Sequence, residues 1–359
     1  MSEPVRVLIV DDSAVVRRVL CDALSRQPGI VVVGEAPDPY IAREKIVELE
    51  PDVITLDINM PRMDGLTVLK KLSTHHPIPT IILSAATDHG ADLAIECLEA
   101  GAVEVLGKPS GAAQLADLSA RLGDIIRGIK SVRVGSARAV AARAASVPPA
   151  VDRASGPTAP AGPRSDRLVA IGSSTGGTEA LREVLTRVRR DAPGIVCVQH
   201  MPAGFTAAFA RRLNDLCEIE VREAADGDEI SQGLALIAPG DRQLKLVRDA
   251  GGFSVNVFDG PRVCRHRPSV EVLFESAAGC ARSQALGVIL TGMGADGARG
   301  LLSMRKAGAH TIAQDKDTCV VYGMPREAVE CGAACEILPL GRIAGRIAEF
   351  GVGCLRASA

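Results

Sequence analysis

Two adjacent hydroxyl side chains, Ser173 and Ser174, lie within the glycine-flanked segment 171–177, IGSSTGG, between an apolar run typical of a buried strand and a run with helical spacing. A strand-to-helix turn of this kind exposes a side chain and points backbone N–H groups at a bound group. The pattern fits a serine nucleophile beside an oxyanion hole or a loop that cradles phosphate. It also fits a turn whose glycines only satisfy backbone geometry, and on its own it favours this last interpretation.

An imidazole and a carboxylate follow two other strand-like runs in the same half of the chain. His200 comes after residues 194–198, and Asp296 lies in the glycine-rich segment that follows residues 285–290. Open α/β sheets collect their site residues at the carboxyl ends of strands, so we expect both near Ser174. Together the three supply the nucleophile, general base and orienting anion of acyl transfer. Individually, each also fits a structural role, as a helix cap, a core histidine or a turn residue.

The first 110 residues contain a second set of polar residues at the ends of strand-like runs. They are Asp11, Asp12, Asp57, Ser84 and Lys108. Carboxylates that converge on one crevice repel each other unless a hard cation such as Mg²⁺ lies between them. A carboxylate with a metal, a hydroxyl and a cation around it can attack phosphorus and hold the resulting charge. The alternative is that the aspartates cap helices and the lysine is a surface charge.

The elements that must position the acidic set alternate regularly along the chain. Strands are predicted at residues 5–10, 31–33, 53–56, 80–83 and 103–106, and helices at 15–24, 41–49, 66–72, 93–98 and 115–129. Five consecutive βα units predict a doubly wound, five-stranded parallel sheet over residues 1–130.

Residues 131–165 contain five prolines and no sustained apolar periodicity, which predicts a flexible linker of Ala, Pro, Ser and Arg. An α/β pattern resumes over residues 166–355. Residues 233–238, 243–247 and 253–257 are predicted to form antiparallel strands or hairpins beside a mainly parallel sheet. Ser269 is the predicted N-cap of a helix over residues 272–281.

Composition excludes several classes of protein. The chain has 359 residues, of which 47% are hydrophobic and only 2% aromatic, with a net charge of −2. This balance argues against a nucleic-acid partner. No run of about 20 apolar residues occurs, so no membrane insertion is expected. The N-terminal residues lack a basic, apolar leader pattern and the ten cysteines lack paired spacing, which predicts a cytoplasmic protein with reduced thiols.

About the first 125 residues strongly resemble the receiver domain of bacterial response regulators. The resemblance implies that Asp57 is the phosphoacceptor and that Ser84 and Lys108 bind the phosphoryl oxygens. It also implies an Mg²⁺ ion held by Asp12, Asp57 and the main-chain carbonyl of Asn59, with Asp11 assisting through water. One position departs from the family pattern, since Val105 stands where many receivers carry an aromatic switch residue.

Residues from about 167 to 350 resemble the catalytic domain of the chemotaxis protein-glutamate methylesterases, the CheB family. The motifs that carry this resemblance are residues 171–177, 199–202, 256–269, 290–298 and 323–325. The order of receiver, linker and effector also matches that family. The resemblance implies hydrolysis of glutamate γ-methyl esters, and often deamidation of glutamine, on methyl-accepting chemotaxis receptors.

The same resemblance assigns roles in the second domain, where no cofactor is expected. Ser174, rather than Ser173, occupies the nucleophile position, with His200 as base and Asp296 as the group that fixes its tautomer. The backbone N–H groups of Thr175 and Met293 are the candidates for the oxyanion hole. The basic segment 265–267, RHR, either contacts acidic receptor helices or forms a structural turn.

The combined pattern predicts an esterase that phosphorylation activates, with a chemotaxis histidine kinase as phosphodonor and the unphosphorylated receiver obstructing Ser174. A rival hypothesis is a response regulator whose C-terminal half only binds a ligand. A third hypothesis is a lipase-like hydrolase.

Overall fold

The computed structural model describes residues 3–60, 63–84, 88–108, 112–130 and 162–353. The chain divides into two compact units, Met1–Val147 and Pro148–Ala359. The predicted linker lies outside the described residues except for its last four, 162–165. None of the helices in the described ranges combines the length and the apolar character that a membrane span needs.

The first unit is a five-stranded parallel sheet whose strands alternate with helices along the chain. Its elements are β1 (Val5–Val10), α1 (Ala14–Ser25), β2 (Ile30–Ala36), α2 (Pro39–Leu49), β3 (Val53–Asp57), α3 (Gly65–His75), β4 (Thr80–Ser84), α4 (Asp88–Glu99), β5 (Glu104–Gly107) and α5 (Ala112–Lys130). The strand order is β2-β1-β3-β4-β5, and each pair of neighbours is parallel.

This arrangement confirms the predicted doubly wound sheet, and its cause is the pattern of burial. The central strands β3 and β4 are buried at every position. Strands buried on both faces contain almost continuous apolar runs, and helices must then cover the two faces. The carboxyl ends of β1, β3, β4 and β5 therefore share one edge, where the predicted acidic set follows them.

The second unit contains a larger sheet and a separate hairpin. Its elements are β6 (Leu168–Ser173), α6 (Gly177–Leu185), β7 (Gly194–Gln199), α7 (Phe205–Leu216), β8 (Glu220–Glu223), β9 (Leu234–Ile237), β10 (Gln243–Asp249), β11 (Gly252–Phe258), α8 (Val270–Cys280), a 3₁₀ turn (Arg282–Gln284), β12 (Ala285–Ile289), α9 (Ala298–Lys306), β13 (His310–Gln314), α10 (Met324–Glu330), β14 (Glu336–Leu338) and α11 (Leu340–Gly351). Seven strands form one sheet in the order β14-β13-β12-β6-β7-β9-β8.

The order and direction of the strands in this sheet indicate where the site lies. Strand β6 pairs in parallel with β7 on one side and with β12 on the other. Because the winding reverses between β6 and β12, a crevice opens outside their carboxyl ends, and such switch points are where open α/β sheets bind ligands. The segments that contain Ser174, His200 and Asp296 follow β6, β7 and β12.

The antiparallel part of the second unit is smaller than predicted. Strands β10 and β11 form the expected antiparallel hairpin. The prediction for residues 233–238 is wrong, since β9 pairs in parallel with both β7 and β8. All four residues of β9 are buried, as in the interior of a parallel sheet. The sequence analysis missed β8, whose Glu-Val-Arg-Glu sequence has a single apolar residue.

Candidate active site and phosphoacceptor site

Hydrogen bonds and tight contacts hold the serine turn against the loop that follows β12. The Ser174 N–H donates to the carbonyl of Thr291 at 3.0 Å, and the Gly177 N–H donates to the carbonyl of Ser174 at 2.7 Å. Between them Gly176 has a φ of 75°, which favours glycine. A Cβ atom added to Gly292 would lie 2.7 Å from Ser174 Cβ. The glycines therefore allow two loops to approach each other at Ser174.

His200 and Asp296 meet beside this turn. His200 Nε2 lies 2.8 Å from Asp296 Oδ2, and the His200 N–H donates to the carbonyl of Ser173 at 3.2 Å. The exposed fractions of Ser174, His200 and Asp296 are 7%, 3% and 2%. The structure thus brings the imidazole, its carboxylate partner and the serine turn together at the crevice between β6, β7 and β12.

The carboxylate of Asp296 accepts an unusually complete set of hydrogen bonds. Besides His200, it accepts from the Ser269 hydroxyl at 2.7 Å, the Val270 N–H at 2.8 Å and the Glu271 N–H at 3.1 Å. Burial alone would raise the pKa of Asp296, but the bonds from His200, Ser269 and Val270 outweigh it and lower that pKa. Asp296 is therefore held as a carboxylate.

Two of these donors are the first N–H groups of α8, so the positive end of that helix also favours the charge. Ser269 occupies the N-cap position of α8, as predicted, but its hydroxyl makes no capping bond to the helix. It donates to Asp296 instead, and Asp296, from the loop after β12, accepts the helix N–H groups. A long-range carboxylate thus replaces the usual local cap.

The second ring nitrogen of His200 and the ring of His266 complete the surroundings of the imidazole. His200 Nδ1 is buried and has no hydrogen-bond partner in the described part of the chain. The ring of His266 stacks on that of His200, with centroids 3.7 Å apart and planes inclined by 6°. The atom of His200 that remains available for proton transfer is therefore Nδ1.

The three residues of the predicted basic segment have separate environments. Arg265 is exposed, and His266 stacks on His200. The Arg267 guanidinium pairs with Asp241 at 2.7 Å and donates to the Gly260 carbonyl at 3.1 Å. The sequence left open a contact with receptor helices and a structural turn. The contacts of His266 and Arg267 within the protein fit a structural turn, and of the three residues only Arg265 faces outward.

Thr175 and Met293, the candidates for the oxyanion hole, lie on the two loops that meet at Ser174. Neither backbone N–H donates a hydrogen bond to another group within the described ranges. The Thr175 N–H lies just before α6, whose dipole is positive at that end. Both donors are thus available to a bound oxyanion.

Gln199 and Thr291 support the site, and the sequence analysis assigned no role to either. Gln199 accepts from the Ser173 hydroxyl at 2.7 Å and donates to the carbonyl of Ser174 at 2.9 Å. The Thr291 hydroxyl donates to the carbonyl of Thr175 at 3.0 Å. The available signal was a polar residue at the end of an otherwise apolar strand-like run, one or two positions before a site residue.

The first unit gathers its carboxylates as predicted at one sheet edge. Asp11, Asp12 and Asp57 offer oxygen atoms that all lie within 4.8 Å of one another. Lys108 Nζ lies 2.8 Å from Asp57 Oδ2 and 2.8 Å from Asp11 Oδ2. Three clustered carboxylates supply the hard oxygen donors that Mg²⁺ prefers, so the residues present fit that ion.

Burial and charge set the proton affinity of this group. Burial raises the pKa of Asp57, an effect that Lys108 opposes and Asp11 reinforces. Burial alone would lower the pKa of Lys108, but its hydrogen bonds to Asp11 and Asp57 outweigh that effect and raise it. A buried carboxylate and a retained ammonium group thus face each other across a crevice that contains excess negative charge.

Four further residues of the first unit that the sequence singles out have distinct environments. The Asn59 N–H donates to Asp57 Oδ1 at 3.2 Å. Ser84 is buried at the end of β4, where its hydroxyl donates to the Gly90 carbonyl at 3.3 Å. Val105, at the switch position, is 2% exposed. Asp64 caps α3, since it accepts from the Thr67 N–H at 2.7 Å.

Comparisons with known proteins match the two units of the chain to two different families of domain. The family model for the CheB methylesterase matches residues 169–347, and the model for the response regulator receiver domain matches residues 7–119. A relative from Syntrophus aciditrophicus, named protein-glutamate methylesterase/protein-glutamine glutaminase 2, is 51% identical over 96% of this chain and 99% of its own length. Another of that name, numbered 5, from Anaeromyxobacter dehalogenans, is 53% identical over 95% of each chain.

Among solved structures, the catalytic domain of the Thermotoga maritima CheB methylesterase matches 51% of this chain and 97% of its own, with 40% identity and a TM-score of 0.50. The two relatives match over nearly their full length, including the order of the two domains. This chain therefore belongs to the CheB methylesterase family, with an N-terminal response regulator receiver domain.

Proposed function

We propose that this protein removes methyl groups from glutamate γ-methyl esters of methyl-accepting chemotaxis receptors, and deamidates receptor glutamines, by an acyl-enzyme mechanism. The observation that carries the proposal is the pairing of His200 Nε2 with Asp296 at 2.8 Å, while His200 Nδ1 is buried and has no hydrogen-bond partner within the described residues. This arrangement leaves one ring nitrogen to accept a proton and fixes the other. The proposed domains are 1–130 for the receiver, 131–165 for the linker and 166–355 for the hydrolase.

In the first half of the reaction, the Ser174 hydroxyl attacks the γ-carbonyl carbon as His200 Nδ1 accepts its proton. Asp296 stabilises the resulting imidazolium through Nε2. The Thr175 and Met293 N–H groups donate to the oxyanion of the tetrahedral intermediate. The intermediate collapses when the C–O bond to the methoxy group breaks and Nδ1 returns the proton, so methanol leaves and an acyl group remains on Ser174.

In the second half, a water molecule attacks the acyl carbon and gives its proton to His200 Nδ1. Collapse of the second tetrahedral intermediate breaks the bond to Ser174 and returns the proton to the serine oxygen, which leaves a glutamate side chain. A primary amide follows the same route with ammonia as the leaving group, so one site accommodates methyl glutamate and glutamine. Receptor helices that carry these side chains on the cytoplasmic side require the enzyme to act in the cytoplasm.

The proposal includes control by phosphorylation of Asp57, with a chemotaxis histidine kinase as phosphodonor. Asp12, Asp57 and the main-chain carbonyl of Asn59 would hold Mg²⁺, with Asp11 assisting through water. The ion would neutralise charge around the acceptor. Lys108, already 2.8 Å from Asp57, and Ser84 would bind the phosphoryl oxygens. Rearrangement of these two side chains would shift the receiver domain between two conformations and so raise the rate of ester hydrolysis.

The test is methanol release from methylated receptor membranes. Ser174→Ala should lower the rate by a factor on the order of 10⁴ to 10⁶, because the nucleophile is lost. Ser173→Ala is the matched control and should lose far less, because it removes a hydroxyl bond to Gln199 but keeps the backbone carbonyl that accepts the His200 N–H. Methanol release that is undiminished in Ser174→Ala would overturn the assignment.

A further inference from the structure

We infer that His266 is a positioning residue for the reaction, because its ring holds the plane of the His200 imidazole by stacking. This inference rests on the proposed function. The two rings lie 3.7 Å apart at the centroids and are within 6° of parallel. Two nearly parallel rings at van der Waals distance restrain each other's planes, because tilting either ring would bring its atoms into contact with the other.

His200 needs such a support because its other restraint acts at one atom. Nε2 bonds to Asp296 at 2.8 Å, while Nδ1 has no partner within the described residues. A single hydrogen bond fixes the position of Nε2. The ring can still turn about the line from Nε2 to Cγ, the carbon that joins it to the rest of the side chain. Since Nδ1 must point at Ser174 for proton transfer, a rotation of the ring would misdirect the base.

Hydrogen bonds to the backbone hold His266 in place. The Val263 N–H donates to the His266 carbonyl at 3.0 Å, and the His266 N–H donates to the Val263 carbonyl at 2.8 Å, which closes a two-residue hairpin turn. The buried Gln243 side chain donates to the carbonyls of Pro261 at 2.9 Å and His266 at 3.2 Å. The turn is therefore tied to β10 as well as to itself.

The residues at the tip of this turn suggest that its shape is maintained for function. Cys264 and Arg265 have φ values of 49° and 68°, the left-handed region that two-residue hairpin turns require and glycine or asparagine usually fills. Two non-glycine residues in this region store backbone strain, which surrounding contacts must offset. The strained turn lies next to His266, whose ring stacks on His200.

The experiment compares three substitutions of His266 in the full-length protein. His266→Phe keeps a flat ring, His266→Leu keeps bulk without a plane, and His266→Ala removes both. We expect kcat for methanol release to fall roughly tenfold to a hundredfold in the Leu and Ala variants, with KM unchanged. His266→Phe should restore most of the rate. Arg265→Ala, one residue away at the exposed tip, is the local control, and a fluorophosphonate, which needs no receptor contact, should label Ser174 in this variant at the wild-type rate.

A second readout does not depend on the receptor substrate. The rate at which a fluorophosphonate labels Ser174 should follow the same order, and the thermal unfolding midpoint should show that every variant compared is folded. Equal rates for wild type and His266→Ala would overturn the inference. So would a His266→Phe variant as slow as His266→Ala, which would indicate a polar or proton-transfer role. If Ser174→Ala retained hydrolysis, the proposed function itself would fail, an outcome distinct from both.

Discussion

Asp57, the last residue of β3, and Asp296, in the loop after β12, are both buried carboxylates, with exposed fractions of 1% and 2%. Their surroundings differ. Asp296 accepts bonds from four groups, and its pKa is lowered. Within the described residues, Asp57 accepts one backbone N–H and shares Lys108 with Asp11, and its pKa is raised because of its burial.

The difference shows how one residue type is fitted to two tasks. A carboxylate with all its lone pairs engaged is a poor nucleophile and a good fixed charge, which suits a group that orients an imidazole. A carboxylate with few donors and excess negative charge around it keeps an oxygen available for a cation and an incoming phosphoryl group. Substitutions at the two sites should therefore act on different properties of the protein.

The largest expected effect comes from removing the fixed charge. Asp296→Asn keeps the shape of the side chain but cannot stabilise the imidazolium, so kcat for methanol release should fall by about 10⁴. Asp57→Asn, measured without a phosphodonor, should keep the basal rate. A loss of less than tenfold in Asp296→Asn would contradict the role given to this carboxylate.

A smaller effect is expected on regulation. In wild type, a small-molecule phosphodonor with Mg²⁺ should raise methanol release by a factor of roughly 5 to 150, the usual range of coupling between two sites. Asp57→Asn should abolish this increase while leaving basal hydrolysis intact. If phosphorylated and unphosphorylated wild type hydrolyse equally fast, control through Asp57 is wrong.

Removing one donor to Asp296 measures how much a single hydrogen bond to this carboxylate stabilises the fold. Ser269→Ala deletes the 2.7 Å bond to Oδ1 and should lower the free energy of unfolding by about 1.5 to 3 kcal/mol, the range for bonds to charged groups. Urea unfolding measures this. Ser303→Ala is the control, because it deletes an exposed hydroxyl bond to the Glu275 carboxylate at 2.7 Å and should cost at most about 1 kcal/mol. A Ser269→Ala protein as stable as wild type would show that its hydroxyl is dispensable to Asp296.

The smallest effect is expected at Asp64, a capping carboxylate in the first unit. Its bond to the Thr67 N–H is the main cause of its lowered pKa. Asp64→Ala should reduce the stability of the first unit by about 1 kcal/mol at pH 7. Because the folded pKa lies below the unfolded value, this contribution is present above about pH 4 and is lost as pH falls through the folded pKa. Unfolding midpoints for wild type and variant should therefore converge in acid, and a difference that grew there would contradict the capping role.

The sequence predicted the strands and the site segments but not the strand pairing or the long-range contacts within the site. Strands buried on both faces and the glycine turns after them are local patterns, so the sheet edges and the segments containing Ser174 and Asp57 could be found. The direction of β9 and the pairing of β8 depend on which strands meet in the sheet, and a short apolar run does not specify this. The stack of His266 on His200 and the bond from Ser269 to Asp296 join residues 66 and 27 positions apart, so only the folded chain shows them.

The most direct test of the account is the identity of the residue that a fluorophosphonate modifies, determined by peptide mass spectrometry of the full-length protein. The account predicts one adduct on Ser174, formed rapidly in wild type and at least a hundredfold more slowly in His200→Gln, in line with the loss expected for a general base. An adduct on Ser173, or labelling of Ser174 at the same rate without His200, would contradict it.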